Sequence, residues 1–124
     1  MADIYFTKEH EWIKVEGATG KVGISDHAAH ELGDITFVEL PKPGYSVKQF
    51  EVLGAIESVK AASDIYSPVS GKVISVNTKL DSAPEIVNES AEDKAWMAEL
   101  EIADAGELSK LMTREQYDDY LRIL

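Results

Sequence analysis

At 124 residues the chain is long enough for one domain with a modest core and too short for several. Its net charge of −11 argues against nucleic acid or an anionic membrane as the main partner and points to partners that present basic patches. With no cysteine, neither a disulfide nor thiolate catalysis can come from the polypeptide itself. No apolar run approaches membrane-spanning length. The opening Met1-Ala2-Asp3-Ile4-Tyr5 has neither a basic n-region nor an Arg-rich transit pattern, so a soluble, cytoplasmic protein is expected.

Trp12-Ile13-Lys14-Val15-Glu16 alternates, meets Gly17-Ala18-Thr19-Gly20, and resumes as Lys21-Val22-Gly23-Ile24, which predicts an antiparallel hairpin. Ser25 or Asp26 can cap a short helix through His27–Leu32, ended by Gly33. Ile35–Leu40 reads as a strand stopped by Pro41-Lys42-Pro43-Gly44. Strand material follows over Tyr45–Ile56 and again over Gly71–Asn77. Asp81–Asn88 predicts a turn leading into a helical turn, with Pro84 near its start. Trp96–Ile102 alternates once more, with Trp96, Ala98, Leu100 and Ile102 predicted inward.

The tail predicts a short helix near Glu107–Leu111 and a second one from Thr113, where Thr113 and Gln116 match a capping box. Tyr117, Tyr120, Leu121 and Leu124 recur at helical spacing and form one stripe, suited to covering the open end of a sheet core. Many short strands punctuated by small residues give a mainly β fold: a compact sandwich or flattened barrel of antiparallel strands with short helices and a C-terminal helix, in a single domain over 1–124. Val22-Gly23-Ile24-Ser25 and Leu53-Gly54-Ala55-Ile56 form a faint internal echo, too short to establish a repeat.

The stretch Gly54–Pro68 stands apart. Lys60 sits among small residues, with Glu57 three positions before it and Asp64 four after, between apolar runs on either side. This suits a lysine displayed at a tip between two strands, where its ammonium stays solvated and reachable. The residues leave a rival open. Ala61 and Ala62 favour a short helix over Ser58–Ser63, and no Asn-Gly pair marks a tight hairpin. Elsewhere, His27 and His30 are three apart beside Asp26 and Glu31, but the one other histidine is His10, so no metal site is predicted. With 23 carboxylates, any pair chosen as acid and base would be arbitrary, and no independent active site is expected.

Glu57-Ser58-Val59-Lys60-Ala61-Ala62-Ser63-Asp64 followed by Tyr66-Ser67-Pro68-Val69-Ser70-Gly71 resembles the lipoylation segment of the glycine cleavage system H protein family. Phe6–Val15 resembles the family's N-terminal signature, and Val22–Ala28 through Leu32-Gly33-Asp34 to Val38–Pro41 is a separate match. The likeness runs from about Tyr5 to Tyr120 in family order. It departs at Lys94-Ala95, where members usually carry glycine before the tryptophan, and at Glu31, where some relatives have histidine.

The resemblance implies a lipoyl/biotinyl-carrier-like fold and a non-catalytic, monomeric carrier, prokaryotic in type, with lipoate on Lys60. Such a carrier takes an aminomethyl group from the pyridoxal-phosphate-dependent glycine decarboxylase (P-protein) and presents it to the tetrahydrofolate-dependent aminomethyltransferase (T-protein). Dihydrolipoamide dehydrogenase (L-protein) then reoxidises the arm. It also implies that a lipoate-attaching enzyme reads Glu57 and requires Gly71, and that Glu11 and Asp64 shelter the loaded arm. Three alternatives are a lipoyl donor or carrier for another pathway, a biotin carrier, and a Schiff-base lysine enzyme. The second lacks the methionines that usually flank biotinyl-lysine, since here the neighbours are Val59 and Ala61. The third needs a desolvated lysine, which a Ser/Ala tip beside two carboxylates does not offer.

Overall fold

The structure, a computed structural model, describes residues 3–124, so the reading of Met1 and Ala2 as lacking a leader pattern lies outside the described residues. In chain order the strands are β1 (Asp3–Phe6), β2 (Glu11–Glu16), β3 (Thr19–Ile24), β4 (Ile35–Glu39) and β5 (Ser46–Val47). They continue as β6 (Val52–Ser58), β7 (Ala62–Tyr66), β8 (Gly71–Val76), β9 (Ala98–Ile102) and β10 (Met112–Thr113). Among the described residues they form two antiparallel sheets, one of seven strands in the order β10-β1-β2-β3-β9-β8-β5 and one of three in the order β4-β6-β7. Short helices fill the ends: α1 (Asp26–Leu32), α2 (Lys79–Ser82), α3 (Ile86–Ser90), a 3-10 helix (Ala105–Lys110) and the C-terminal α4 (Arg114–Arg122).

Alternating inward residues build the core. Ile13, Val22, Ala98, Leu100 and Val73 come from the larger sheet and meet Leu53 and Val69. A second cluster joins Val38, Ile56 and Ile65 of the small sheet to Ile24, Ala29, Leu80 and Met97. Each buried valine, leucine, isoleucine or methionine among them contributes about 1.5–3 kcal/mol by leaving water, and the alanines less. The small sheet is therefore held by one face, and its other face remains free.

The N-terminal strands are tied to the tail. Trp12 donates its indole N–H to the carbonyls of Ile24 and Ala91, at 2.7 and 3.0 Å. Phe6 stacks on Tyr117 of α4 with ring centroids 4.2 Å apart, and the Arg114 guanidinium lies over the Phe6 ring at 4.5 Å. The Thr113–Gln116 capping box is present and starts α4 as the sequence predicts.

Three expectations need correction. Trp96 precedes β9 instead of opening it and is only partly buried; the Lys21 ammonium lies 4.9 Å above its ring in a cation–π contact beside the start of the strand. Ile102 is likewise half-buried, because β9 ends there. Leu124 is 65% exposed, since α4 stops at Arg122 and the stripe loses its last member. The short strands β1 and β10 and the four-residue α2 were not anticipated. Each exists through pairing or packing with distant chain, and α2 is anchored by the fully buried Leu80.

Candidate functional site

Lys60 stands at the tip of the hairpin formed by β6 and β7, where Glu57 pairs with Ala62. The hairpin, not the short helix, is the observed form. Ser58 makes it possible without an Asn-Gly turn. Its backbone N–H donates to the Ala61 carbonyl at 2.8 Å. Its hydroxyl accepts from the backbone N–H of Lys60 at 3.2 Å and of Ala61 at 3.1 Å. The Val59 N–H donates to the Asp34 carbonyl at 3.0 Å, pinning the tip to the end of α1. Every backbone donor of the tip is thus satisfied, and the turn is held rather than loose.

The lysine side chain itself is free. Among the described residues no carboxylate lies within ion-pair distance of its ammonium. Its stem runs past Gly33, the residue that ends α1 at φ +79° and ψ −152°. A Cβ on Gly33 would stand 3.2 Å from Lys60 Cε and 3.7 Å from both Cδ and Nζ. Only glycine both adopts that backbone geometry without strain and leaves room for the stem.

Glu57 and Asp64 are exposed on the outward face of the small sheet, Glu57 opposite Ala62 and Asp64 opposite Ala55. Gly71 is buried at the start of β8, in register with Ile102, and any Cβ there would run into the Glu101 carbonyl oxygen. Its smallness serves the close approach of β8 to β9.

Glu11 is in a different situation. It opens β2, is 1% exposed, and has both carboxylate oxygens engaged. The Thr7 hydroxyl donates to Oε1 at 2.5 Å and the Tyr66 backbone N–H donates to Oε2 at 3.1 Å. The Thr7 hydroxyl in turn accepts from the N–H groups of Glu9 and Glu11, at 3.2 Å each. Burial pushes the Glu11 carboxyl up to about 7, against the hydrogen bonds from Thr7 and Tyr66 that favour its charge; nearby Glu9 adds to the rise. Thr7 and Tyr66 also line a cleft of about 540 Å³ together with Phe6, Lys8, Glu9, Phe50, Lys110 and Met112. β7 therefore links the tip to the cleft wall. From Ala62 to Tyr66 it spans roughly 13 Å at 3.3 Å per residue, with Asp64 on the way.

Of the residues named from sequence, Lys60, Glu57 and Asp64 share one hairpin, Glu11 is joined to it through Tyr66, and Gly71 lies apart in the other sheet. Sequence reasoning missed Ser58, Gly33 and Thr7. A serine two before the lysine was the legible signal for a side-chain-closed turn. Gly33 was read only as a helix stop. His10 was also unanticipated as a partner: at φ +72° it sets its Nδ1 2.8 Å from the Tyr117 hydroxyl, which lies 2.7 Å from Ser25 Oγ.

Comparison with known proteins gives a consistent result. Residues 4–123 match the family described as glycine cleavage H-protein. The glycine cleavage system H protein of Bacillus subtilis (strain 168) is 51% identical over 117 residues, covering 94% of this chain and 92% of its own. That of Thermotoga maritima is 46% identical over 115 residues, covering 93% of each. The crystal structure of a glycine cleavage system H protein from Mycobacterium marinum superimposes with a TM-score of 0.88 at 31% identity, over 97% of both chains.

Proposed function

The chain belongs to the glycine cleavage H-protein family, and from that premise we propose that it carries lipoate on Lys60 and serves as the mobile arm between the enzymes of glycine cleavage in the cytoplasm. Those enzymes are the P-protein, the T-protein and the L-protein, with a lipoate-attaching enzyme acting first. The observation that carries the reading is a solvated lysine with no ion-pair partner among the described residues, on a hydrogen-bonded tip and seated over a glycine that leaves its stem unobstructed. These features fit the group. When bound, lipoate supplies a ring disulfide that can accept and release a one-carbon unit and be reoxidised.

The residues around it have separable parts. The Lys60 ammonium gives up two protons in all, one to free the amine and one as its nitrogen forms an amide with an activated acyl carbon, and the activating group leaves with the electron pair of the broken bond. Glu57 marks the tip for the attaching enzyme, and Gly71 acts on that enzyme's demands through the approach of β8 to β9. Asp64 offers a surface carboxylate to a cationic amine, while Glu11 contributes charge from beneath the cleft wall once it is ionised. The polypeptide itself carries out no bond-making beyond accepting the acyl group.

The test uses what the chain lacks. Incubation with a lipoate-attaching enzyme, lipoate and ATP should add one lipoyl increment to the intact mass. Reduction by dihydrolipoamide dehydrogenase and NADH should then expose two thiols per modified chain, because the polypeptide has no cysteine. Lys60→Arg keeps the charge and the fold but should gain neither mass nor thiols. Thiols on the arginine variant, or none on modified wild type, would move the attachment site or change the cofactor.

A further inference from the structure

The outward face of the β4-β6-β7 sheet lies beside Lys60, and the carrier reading uses only Glu57 and Asp64 of it. Register places Phe37 of β4 opposite Glu57, and Glu39 opposite Ala55, which itself faces Asp64. Val38, Ile56 and Ile65 point into the core, so the alternation puts Phe37, Glu39, Glu57 and Asp64 on the opposite, solvent side. Phe37 is 47% exposed and Val59 at the tip 67%. The three strands carry three carboxylates and no lysine or arginine. A single exposed phenylalanine is ordinary. One placed against Glu57 in an all-acidic face, a turn away from a lysine awaiting modification, is not explained by the fold.

We propose that this face is the footprint of the enzyme that acylates Lys60, with Phe37 entering an apolar pocket and Glu39 and Glu57 meeting a basic rim. The inference rests on the lipoyl-lysine reading and specifies how that lysine is found. Reach selects this partner over the others. An enzyme that works on the far end of an acylated lysine can dock at a distance from the hairpin. The enzyme that makes the amide must bring its acyl carbon to Nζ itself and so must cover the tip. A stable interface takes about 800 Å² from each side, far more than a four-residue turn supplies, and so extends onto neighbouring surface. The α1 side of the tip is occupied by its own chain, through the Val59–Asp34 hydrogen bond and the lysine stem over Gly33. That leaves the sheet face. An aromatic anchor ringed by charges of one sign is the arrangement in which a central side chain carries binding and the rim sets partner and encounter rate.

The experiment follows lipoylation of the purified, full-length protein by intact mass over a range of protein concentrations. Phe37→Ala should lower kcat/KM roughly 10- to 30-fold through KM, with kcat at saturation unchanged, as expected for loss of an interface anchor. Glu39→Lys should lower it as well and flatten its dependence on salt. Ile74→Ala, which removes an equally exposed apolar side chain from β8 in the other sheet, should match wild type. All three positions are at the surface, and unchanged thermal unfolding checks that the fold is kept. An unchanged kcat/KM for Phe37→Ala, an equal loss for Ile74→Ala, or a loss confined to kcat overturns the footprint while the carrier reading stands. A Phe37→Ala protein that is loaded normally but slowed with glycine decarboxylase also overturns it, and assigns the face to that enzyme. A folded wild type that gains no lipoyl mass removes the carrier reading and the footprint together.

Discussion

Glu11→Gln separates the cost of a buried charge from the worth of the hydrogen bonds around it. In the folded protein the Glu11 carboxyl is pushed from 4.5 up to about 7, chiefly by burial. Between those values the folded state binds more protons than the unfolded one. The sign follows: the stability linked to Glu11 is fully present below about pH 4.5 and is lost as pH rises through 7. At about 1.4 kcal/mol for each tenfold change in proton affinity, the full loss is on the order of 3 kcal/mol.

Glutamine never ionises, so it escapes that loss. It carries its own cost, because both partners of the carboxylate, the Thr7 hydroxyl and the Tyr66 N–H, are donors. One amide oxygen can serve only one of them, and the lost bond costs about 1 kcal/mol. At pH 5 wild type has already lost about 1 kcal/mol of the linked stability, so the variant should match it to within about 0.5 kcal/mol there and be more stable at pH 8 by about 2 kcal/mol. Urea unfolding at both pH values measures this. Asp26, also raised mainly by burial, is present in both proteins and cancels in the difference. Stability curves that run parallel from pH 5 to pH 8 would mean that burial does not lift the Glu11 carboxyl into this window, and the reasoning from its burial would fall.

Two further substitutions probe the tip and the tail. Gly33→Ala places a Cβ at φ +79° and ψ −152°, a region nearly exclusive to glycine, and sets it 3.2 Å from Lys60 Cε. It should cost about 1–3 kcal/mol in urea unfolding and slow lipoylation by displacing the lysine stem; stability within 0.5 kcal/mol of wild type, by the same principle of backbone strain, would refute the geometry. Tyr117→Phe keeps the stack on Phe6 but removes the hydroxyl that meets His10 Nδ1 and Ser25 Oγ. It should lower stability by about 1–3 kcal/mol while lipoylation proceeds at the wild-type rate, and a variant that unfolds like wild type would show the buried network to be idle.

What the sequence makes legible is what depends on neighbours along the chain. The β2–β3 hairpin, α1 between Ser25 and Gly33, and the Thr113–Gln116 box all follow from alternation or from a cap three residues from its partner. What it hides depends on contacts across many residues. β10 exists because Phe6 pairs with Met112, and the burial of Glu11 depends on Tyr66, 55 residues away. A carboxyl at the start of an alternating strand gives no local sign of whether water will reach it. The same limit applies at the site. Lys60 could be singled out, but not the fact that its stem crosses Gly33, which comes from α1 docking beside the hairpin.

That crossing also explains why a free lysine belongs on an ordered turn. If the tip were loose, ordering it would cost each partner enzyme about 1–2 kcal/mol for every backbone residue fixed, at every encounter. Here Ser58 holds two backbone N–H groups of the tip, and Val59 is fastened to Asp34, so that ordering is completed when the protein folds. Freedom is confined to the lysine side chain, which has no ion pair to break among the described residues before it can be modified or moved. Loss of the Ser58 hydroxyl should accordingly weaken recognition more than stability. Ser58→Ala leaves an exposed turn whose N–H groups can turn to water, so unfolding should change by less than about 1 kcal/mol. The KM for lipoylation should rise several-fold because the enzyme must now order the tip itself. A Ser58→Ala protein with an unchanged KM would show that the turn is held by its strands alone.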